Sequence, residues 1–515
     1  MSTKTEKKSG FIKFIGCIER AGNKLPHPFF LFVYLTIIVM VLSAVFAGAS
    51  VTYTAAASGG GEMKETTIAI KNLLSSDYIK TTLKNWTSIY VNFAPLGLVM
   101  VMMLAIGFAQ STGLFDAFMK KTLLGAPTYV VTFALAVVGV CANAASNAGI
   151  VFAATIGAAL FASLGRNPII GAITGYAGAH GGFTANLFPT GTDVTIAGIT
   201  QSAAAGMGVE APIHPLNNYF FMVFSTLTIG LAITIVSEKV MPKIVSGKGV
   251  KQEITTVVTP EESRGLKFAL IAFVVFVAGL LALSVPEGAF FRAADGSLVP
   301  KSPLIDSIVA ILFIFFVATG AAYGYGAGTV KKLADVPKYM GSGIKDSISF
   351  CVIAFPAAMF IQMFNDSKIA NVIAVNGARL LEALNFKGIP LAVSFVILVL
   401  LCNLFMTSGS SKWLILAPIF VPMFAQIGFS PSLTQCAYRV GDSITNCIAP
   451  INFFLPIIIG IMNKYKAPDD PEFGLGTLIS YMLPYSIALG IVLIIQLVIW
   501  MLIGLPLGPG VALYL

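Results

Sequence analysis

The chain has 515 residues, of which 57% are hydrophobic and only 11% are charged. Because soluble domains carry about 25% charged residues, this composition excludes a soluble globular protein and indicates a polytopic helical membrane protein. The net charge of +9 lies mainly in loops between apolar runs, so it does not indicate nucleic-acid binding.

Apolar runs that are long enough to span a membrane recur along the whole chain. In chain order they occupy residues 29–46, 94–113, 128–140, 150–164, 169–183, 219–236, 266–283, 305–322, 348–363, 389–405, 414–427, 448–462 and 483–503. Two pairs of these runs are short and lie beside polar interruptions, which is typical of re-entrant hairpins and interrupted helices. We therefore predict an all-α polytopic membrane protein with about nine transmembrane helices and two re-entrant hairpins.

The distribution of basic residues predicts the orientation of the chain. They cluster before the first apolar run and again at residues 238–267, and the positive-inside rule places both segments in the cytoplasm. We divide the chain into a cytoplasmic N-terminal segment (1–28), a first membrane half (29–237), a cytoplasmic linker (238–267) and a second membrane half (268–515). The polar loop at residues 49–92 has a weaker basic bias, which fits the opposite side. The first run lacks a small-residue cleavage site, so we interpret it as an uncleaved span.

Each half carries the same interrupted pattern of a polar tip, an apolar return leg, a turn with proline and a polar triplet. The first copy reads NAASNAG at 143–149 and TAN at 184–186; the second reads NLFMTSG at 403–409 and ITN at 444–446. The two copies are 260 residues apart at both ends (403 − 143 and 446 − 186). A matched pair of breaks, one in each half, is typical of the binding site of a secondary transporter. We predict two structural repeats, with the second inverted relative to the first.

The tips and triplets supply residue types that bind a small cation. Hydroxyl and amide oxygens, together with carbonyls freed at a helix break, form a hard oxygen shell, while half-helix N-termini attract a carboxylate. The predicted ion-binding residues are Ser146, Asn147, Asn186, Thr407, Ser408 and Asn446. The alternative is that these small residues only allow close packing of helices. If they bind ions, each tip should lie next to the triplet of its own half.

Several short motifs, GNKLPHP at 22–28, GGFTAN at 181–186, GTD at 191–193 and GDS at 441–443, resemble those of the p-aminobenzoyl-glutamate transporter (AbgT) family. The resemblance covers nearly the whole chain. It implies a homodimer, in the bacterial inner membrane, with an inner core that holds both hairpins and an outer frame that holds the dimer contact. By position, the functional residues of the family correspond to Asp193, Ser410, Trp413, Arg439, Asp442 and Pro450.

The resemblance also implies the substrate. p-Aminobenzoyl-glutamate-like folate catabolites are the expected cargo, and export of sulfonamide antimetabolites, with which some family members are associated, is the alternative. The expected partners are a small aromatic carboxylate, membrane lipid and a second copy of the chain, with no nucleic acid. No cofactor is expected. Na⁺ at the ion-binding residues is one option for coupling, and a proton is the other.

Charged residues that lie within apolar sequence mark functional sites by default. Arg439 and Asp442 are three residues apart, which would place them on one face of a helix and within pairing distance. In a functional site, Arg439 would meet a substrate carboxylate, and Asp442 would balance its charge in the empty state. The alternative is a purely structural ion pair. Asp193 follows a break and could bind the cation or carry a coupled proton.

Trp413 follows the second tip, where its ring could stack on an aminobenzoyl ring. The alternative is an interfacial tryptophan, since tryptophan is enriched at membrane surfaces. Lys412 beside it is expected to extend to the membrane interface. His180, near the first triplet, is interpreted as a packed, hydrogen-bonded residue rather than a proton relay.

An ion-coupled secondary transporter accounts for these patterns better than two other classes of protein. An intramembrane enzyme would need a nucleophile–base pair or a metal-binding set, and the sequence contains no HExxH, GxSxG or phosphate-loop motif. A channel would need a continuous pore rather than a site with two breaks. The direction of transport follows the coupling gradients and is not set by the sequence.

Overall fold

The computed structural model describes residues 26–56, 63–124, 130–206, 209, 211–245, 258–298, 302–450, 452, 454–468 and 472–515. These residues form 21 α-helices and one two-stranded antiparallel sheet. The predicted all-α polytopic class is confirmed, and within the described residues the small sheet is the exception to it.

The first half contains eleven helices and both strands. In chain order they are α1 (Pro28–Val45), β1 (Ser50–Ala56), β2 (Met63–Ala69), α2 (Ser76–Lys84), α3 (Trp86–Val91), α4 (Ala94–Ser111), α5 (Leu114–Leu124), α6 (Val131–Cys141), α7 (Ser146–Ser163), α8 (Pro168–Gly181), α9 (Gly191–Ala205), α10 (Tyr219–Ile235) and α11 (Met241–Ile244). A 3₁₀ turn at Ala142–Ala145 joins α6 to α7, and a π-helical turn at Val236–Val240 joins α10 to α11.

The second half begins inside the predicted linker. Its helices are α12 (Pro260–Ala282), α13 (Pro303–Asp306), α14 (Ile308–Ala327), α15 (Asp335–Asp366), α16 (Ile369–Ala383), α17 (Gly388–Asn403), α18 (Gly409–Ala425), α19 (Pro431–Thr445), α20 (Leu455–Lys464) and α21 (Leu475–Ile503). Because α11 ends at Ile244 and α12 begins at Pro260, the connection between the halves is shorter than residues 238–267. Residues 246–257 of this connection lie outside the described part of the chain.

Within residues 49–92, predicted as a polar loop, the described residues form two antiparallel strands and two short helices. Ser50 pairs with Ala69 and Thr52 with Thr67, and the two threonine hydroxyls are 2.8 Å apart. Arg379 of α16 donates a hydrogen bond to the Thr52 carbonyl, which fixes the strand pair against the second half. The β-branched residues of both strands favour this structure.

The GNKLPHP motif ends at the start of α1. The Phe29 amide donates to His27 Nδ1 at 3.3 Å, and Pro28 occupies the first helical position. Proline suits this position because its missing N–H would have no partner within the helix. The motif is therefore also a helix start signal. Residues 1–25, most of the predicted cytoplasmic segment, lie outside the described residues.

Length and composition allow several of the described helices to cross a membrane. Four elements are each long and apolar enough to span a membrane: Tyr219–Ile244, Pro260–Ala282, Ile308–Ala327 and Leu475–Ile503. Two bent helix pairs, α4 with α5 at 58° and the two parts of α15 at 54°, raise the number to six. Other apolar helices have only 10–17 residues. The full number of about nine spans stays a prediction, since short helices can still contribute to crossings in pairs.

Two units of five helices, α6–α10 and α17–α21, carry the predicted repeat. α19 begins 263 residues after α8 (431 − 168), and α18 begins 263 residues after α7 (409 − 146). In both units the asparagine before the tip donates to a main-chain carbonyl of the helix that leads to the triplet. Asn143 Nδ2 reaches the Ala179 carbonyl at 2.7 Å, and Asn403 Nδ2 reaches the Asp442 carbonyl at 2.9 Å. This shared contact is what the repeat predicts; the inversion of the second unit stays a prediction.

α8 and α19 form the centre of the two units, and every residue of both helices is buried. α9 packs against α4 and against α18, so it connects the first unit to the second. Outside the units, α1 packs on α15, α12 packs on α14, and α4 contacts both α14 and α15. The described helices thus form an inner core of two units and an outer layer of α1, α4, α12, α14 and α15.

Candidate functional site

Two ion pairs are buried in the inner core, one between the two units and one within the second unit. Arg439 of α19 lies 2.6 Å from Asp193 of α9, and Lys412 of α18 contacts Asp442 of α19. Each of the four side chains is at most 3% exposed. The predicted pair of Arg439 with Asp442 is therefore replaced by two pairs between different helices. Because unpaired buried charges are strongly destabilising, both pairs depend on the relative positions of these helices.

Asp193 is positioned by the start of α9. It is the third residue of the helix, and its Oδ2 accepts hydrogen bonds from the Thr190 N–H at 2.6 Å and the Thr190 hydroxyl at 2.9 Å. This capping box orients the carboxylate, and a negative charge is favourable at a helix N-terminus. Oδ1 is left to contact Arg439. The break before α9 therefore presents a fixed anion to the second unit.

Arg439 also contacts the break between α8 and α9. Its Nε donates to the Phe183 carbonyl at 2.8 Å, and its Nη2 donates to the same oxygen. The Phe183 ring centroid lies 5.3 Å from the guanidinium carbon, within cation–π range. A Cβ added to Gly409 would come within 2.6 Å of this ring. Arg439 therefore lies where the break of the first unit meets the tip of the second.

Lys412 does not extend to the membrane interface, so that prediction is wrong. Its side chain is 1% exposed, and Nζ donates to Asn403 Oδ1 at 2.5 Å and to the Met406 carbonyl at 3.2 Å. The Ser408 hydroxyl caps α18 by accepting from the Ser411 N–H at 3.4 Å. The first turn of the helix then directs Lys412 inward. Oxygens from Asn403, Met406 and Asp442 compensate its charge in the interior.

Asn446, at the end of the second triplet, belongs to the same polar cluster. Its Nδ2 donates to Asp442 Oδ2 at 2.6 Å, and its Oδ1 accepts from Asn403 Nδ2 at 2.9 Å. Its main-chain carbonyl accepts from Asn452, whose amide also lies 3.3 Å from His180 Nε2. The second triplet thus contacts the segment before its own tip through Asn403. His180 is packed and hydrogen-bonded, as expected.

Trp413 is fully buried, so the interfacial alternative is wrong. Its ring stacks on Tyr438 with centroids 4.4 Å apart, and its Nε1 donates to Thr200 Oγ1 at 2.9 Å. Thr200 also donates to Gln435 Oε1 at 2.6 Å. The aromatic stack that the sequence suggested for a substrate is made with Tyr438 in this conformation.

A polar network at the start of α19 was missed by the sequence analysis. Gln435 Nε2 donates to Asn217 Oδ1 at 3.0 Å and to Asn218 Oδ1 at 2.7 Å, and Asn218 Nδ2 donates to the Ser432 carbonyl at 2.9 Å. These bonds fix α19 against the segment before α10. The available signal was the polar character of residues 431–445, which a search for apolar runs passes over.

The predicted ion-binding residues of the first unit have fewer contacts. Asn186 is buried, and its Oδ1 accepts from the Phe188 N–H at 3.2 Å, which stabilises the turn after the break. Its Nδ2 and the hydroxyl of Thr184 have no hydrogen-bond partner among the described residues. Unsatisfied buried groups of this kind cost about 1–3 kcal/mol each. Ser146 and Asn147 begin α7, but their side chains lie outside the described residues.

The other predicted residues of the second unit surround the charged centre. Thr407 and Ser410 are half-buried at the tip, and Ser408 is exposed there. Pro450 is buried just after the triplet. The structure therefore brings Asp193, Trp413 and the residues of α19 into the core, whereas it leaves part of the second tip accessible.

Two cavities border α9 between the inner core and the outer layer. One has a volume of about 800 Å³ and includes His214 and Asp306 in its lining. The second has a volume of about 710 Å³ and includes Gln362. Gln201, next to the Thr200 that binds Trp413, lines both. Their sizes fall within the range of about 300–1,000 Å³ that is typical of small-molecule sites.

Two interlocked units with broken helices, a buried charged site at their junction and an outer helical layer define a multi-pass membrane transporter. The chain belongs to the AbgT putative transporter family, whose model matches residues 13–515. The family resemblance found in the short motifs is thus confirmed over nearly the whole chain.

Three relatives are similar over nearly their full lengths. The chain is 34% identical to the p-aminobenzoyl-glutamate transport protein of Escherichia coli (strain K12) over 500 residues, which are 97% of this chain and 96% of the relative. The crystal structure of the Alcanivorax borkumensis YdaH transporter is 34% identical, with a TM-score of 0.84 and coverage of 94% of this chain and 100% of that chain. Neisseria gonorrhoeae MtrF, which represents a class of antimetabolite efflux pumps, is 35% identical, with a TM-score of 0.89 and coverage of 97% and 100%.

Proposed function

We propose that this chain is an ion-coupled secondary transporter that carries p-aminobenzoyl-glutamate-like folate catabolites across the bacterial inner membrane. The name of the 34% identical relative from Escherichia coli supports this substrate class. We further propose that the chain acts as a homodimer with its N-terminus in the cytoplasm, and that the basic connection between the two membrane halves lies on the same side.

The observation that carries the proposal is the buried guanidinium of Arg439. Asp193 balances its charge at 2.6 Å, and the Phe183 carbonyl accepts its Nε hydrogen bond. Arginine binds carboxylates through two parallel hydrogen bonds. A substrate carboxylate could therefore take the place of Asp193 at Arg439 without leaving the guanidinium unpaired. An anionic substrate with carboxylate groups suits such a site.

The aromatic part of the substrate is proposed to lie beside the stacked rings of Trp413 and Tyr438. Ring stacking contributes about 0.5–1.5 kcal/mol beyond burial. Ser410 and Pro450, at the tip and after the triplet, complete the proposed substrate site with Asp193 and Asp442. The two cavities beside α9 supply space between core and outer layer through which a small molecule could approach.

The coupling ions are proposed to bind at the amides and hydroxyls of the two units. The hydroxyl oxygen of Thr184, which has no hydrogen-bond partner among the described residues, and the Asp442 carboxylate beside Asn446 support binding near the triplets. The proposed ligands remain Ser146, Asn147, Asn186, Thr407, Ser408 and Asn446. Na⁺ is the proposed ion, and a proton carried by Asp193 is the alternative.

A second candidate function is export of sulfonamide antimetabolites. It is favoured by the 35% identity to MtrF, a representative of antimetabolite efflux pumps. Sulfonamides share the aminobenzene ring of p-aminobenzoyl-glutamate, so the same aromatic stack would accept them. They lack the glutamate carboxylates, so Arg439 would contribute less to their binding.

Proteoliposomes with separately imposed Na⁺ and pH gradients test the proposed function. We expect saturable uptake of radiolabelled p-aminobenzoyl-glutamate that follows one of the two gradients, and counterflow by unlabelled substrate. Non-saturable flux would indicate a channel, and uptake that follows neither gradient would contradict ion coupling. Counterflow with a sulfonamide but not with p-aminobenzoyl-glutamate would favour the efflux function.

A further inference from the structure

The ammonium group of Lys412 lies in a pocket of three oxygens. Asp442 Oδ1 contacts Nζ, Asn403 Oδ1 accepts from it at 2.5 Å, and the Met406 carbonyl accepts at 3.2 Å. Met406 belongs to the non-helical segment between α17 and α18. One carboxylate, one amide oxygen and one carbonyl at a helix break are the ligand types that transporters offer to Na⁺. We call these three oxygens the cation cradle.

The cation cradle is held in place by bonds that do not involve Lys412. Asn403 Nδ2 donates to the Asp442 carbonyl at 2.9 Å and to Asn446 Oδ1 at 2.9 Å, so its Oδ1 is directed to the other side. Asn446 Nδ2 donates to Asp442 Oδ2 at 2.6 Å, which leaves Oδ1 of that carboxylate for the cation. The oxygens are therefore preorganised for a positive charge, whichever group supplies it.

The location of Lys412 on its own helix does not favour its charge. It is the fourth residue of α18, and a cation is unfavourable in the first turn of a helix because the dipole is positive there. The first unit keeps the equivalent asparagines, Asn143 and Asn186, but the fourth residue of α7, equivalent to Lys412 in α18, is Gly149. The shared architecture therefore does not require this lysine.

We propose that Lys412 is a tethered competitor of the coupling cation: it occupies the cation cradle in the ion-free state and withdraws when Na⁺ enters. The exchange replaces one monovalent cation with another, so Asp442 is never left unpaired during the transport cycle. The flexible four-carbon stem of lysine permits this movement. The proposal rests on ion coupling by the proposed transporter and identifies the residues of one ion site.

The test is thermal unfolding of the purified full-length protein in NaCl and in choline chloride at equal ionic strength. Lys412→Met should lower the melting temperature in choline chloride, because Asp442 lacks a cation, and Na⁺ should restore it. If Lys412 occupies the cation cradle for nine-tenths of the time, its removal should lower the half-saturating Na⁺ concentration by about ten-fold relative to wild type. Direct ²²Na⁺ binding provides the same comparison without unfolding.

The double variant Lys412→Met/Asp442→Asn is the matched control. It removes both charges, so it should be more stable than Lys412→Met in choline chloride and should lose the response to Na⁺. A retained Na⁺ response in the double variant would overturn the assignment of Asp442 to the ion site. Equal destabilisation of Lys412→Met in both salts would show that Lys412 is only a structural partner.

A second variant keeps the test decisive if Lys412→Met is not recovered as folded protein. Lys412→Gln retains a group that can donate to Asn403 Oδ1 but carries no charge, and it should show the same gain in Na⁺ affinity. An unchanged ²²Na⁺ affinity in Lys412→Gln would overturn the proposal. Na⁺-driven uptake by the wild type together with that result would leave the proposed function intact. Conversely, tighter Na⁺ binding by the variants without Na⁺-driven uptake by the wild type would support the cation cradle and contradict Na⁺ coupling.

Discussion

The two repeat units share a backbone plan and use its central positions differently. Both keep an asparagine before the tip and another at the end of the triplet, with the same spacing of 260 residues (403 − 143). The charges of the second unit have no counterpart in the first. By position within the paired helices, which are offset by 263 residues, the equivalent pairs are Gly149 and Lys412, Tyr176 and Arg439, and Ala179 and Asp442. Both units thus keep the asparagines, whereas Lys412, Arg439 and Asp442 occur only in the second unit; the first unit contributes Asp193 from a different helix, α9.

The first unit uses the helix that corresponds to α19, namely α8, for close packing. A Cβ on Gly171 of α8 would lie 2.1 Å from the Gly157 carbonyl, and one on Gly175 would lie 2.1 Å from the Ala153 carbonyl. Such close approach of backbones is typical of small residues at membrane helix contacts. In the second unit, α19 is held by side-chain hydrogen bonds and ion pairs instead. The central helix of the first unit, α8, therefore packs closely on its neighbour, whereas the central helix of the second unit, α19, carries the charged residues.

Removal of Arg439 should have the largest effect, because the first unit has no charge that could replace it. Arg439→Ala leaves Asp193 buried without its partner, and breaking a buried ion pair costs about 3–5 kcal/mol. We expect loss of uptake and a lower melting temperature. Arg439→Lys keeps the charge but not the fork that binds a carboxylate, so uptake should fall while stability is largely kept. Uptake and thermal unfolding of the same preparations measure both effects.

The double variant Arg439→Ala/Asp193→Ala is the control for that experiment. Since it removes both charges, it should regain stability relative to Arg439→Ala but not regain uptake. Recovery of uptake in the double variant would assign the pair a purely structural role. The proposed contact between Arg439 and a substrate carboxylate would then be wrong.

Substitution of Gly171 tests whether α7 and α8 of the first unit pack closely. Gly171→Ala should force α7 and α8 apart, and overpacking of this kind costs about 1–3 kcal/mol. Gly279 of α12 is the matched control, because a Cβ there would meet nothing within 4 Å. Alanine is favoured over glycine in a helix by about 1 kcal/mol, so Gly279→Ala should be neutral or stabilising. The measurement is the melting temperature of each variant. Equal values for Gly171→Ala and Gly279→Ala would contradict tight packing of α7 on α8.

The paired asparagines give a finer comparison between the units. Asn403→Ala removes an oxygen from Lys412 and a donor from Asn446, whereas Asn143→Ala frees the main-chain carbonyl of Ala179. An unsatisfied buried group costs about 1–3 kcal/mol, so both variants should melt at lower temperature. Only Asn403→Ala should raise the Na⁺ concentration needed for half-maximal uptake. The same shift in Asn143→Ala would mean that both units take part equally in ion binding.

The smallest effect is expected for Trp413→Phe, which keeps a ring against Tyr438 and loses the hydrogen bond to Thr200. A hydrogen bond of this kind contributes about 0.5–1.5 kcal/mol to stability. Trp413→Ala removes the ring, and since stacking contributes about 0.5–1.5 kcal/mol, the KM for p-aminobenzoyl-glutamate should rise several-fold. The KM for a non-aromatic dipeptide with the same glutamate should rise less. An equal rise for both substrates would identify Trp413 as a packing partner of Tyr438 only.

Sequence alone could not identify α19 as the most buried polar helix, and it missed the strand pair of β1 and β2. Residues 431–445 are too polar for a hydropathy criterion, and their burial depends on partners such as Asn217 and Asn218, far away in the chain. The strand pair was overlooked because its loop was interpreted through its charges. Local criteria fail in both places because the stabilising partners lie outside any short window of sequence.

The sequence by itself determined the class of protein, the repeat and the positions of the breaks. These follow from local properties: apolar runs span lipid, and small polar residues interrupt helices only where the backbone is protected. Charges within apolar sequence also marked Asp193, Arg439 and Asp442 in advance, because such charges are costly in a membrane.

Only the tertiary structure decided which charges meet. On one helix, the spacing of three residues favours Arg439 with Asp442, but buried charges require partners with good geometry and additional hydrogen bonds. Asp193 supplies them for Arg439, and Lys412 supplies them for Asp442. The lysine has a long apolar stem that suits an interface equally well. Its burial depends on Asn403, which reaches it from another helix, and contacts between helices form only once the chain has folded.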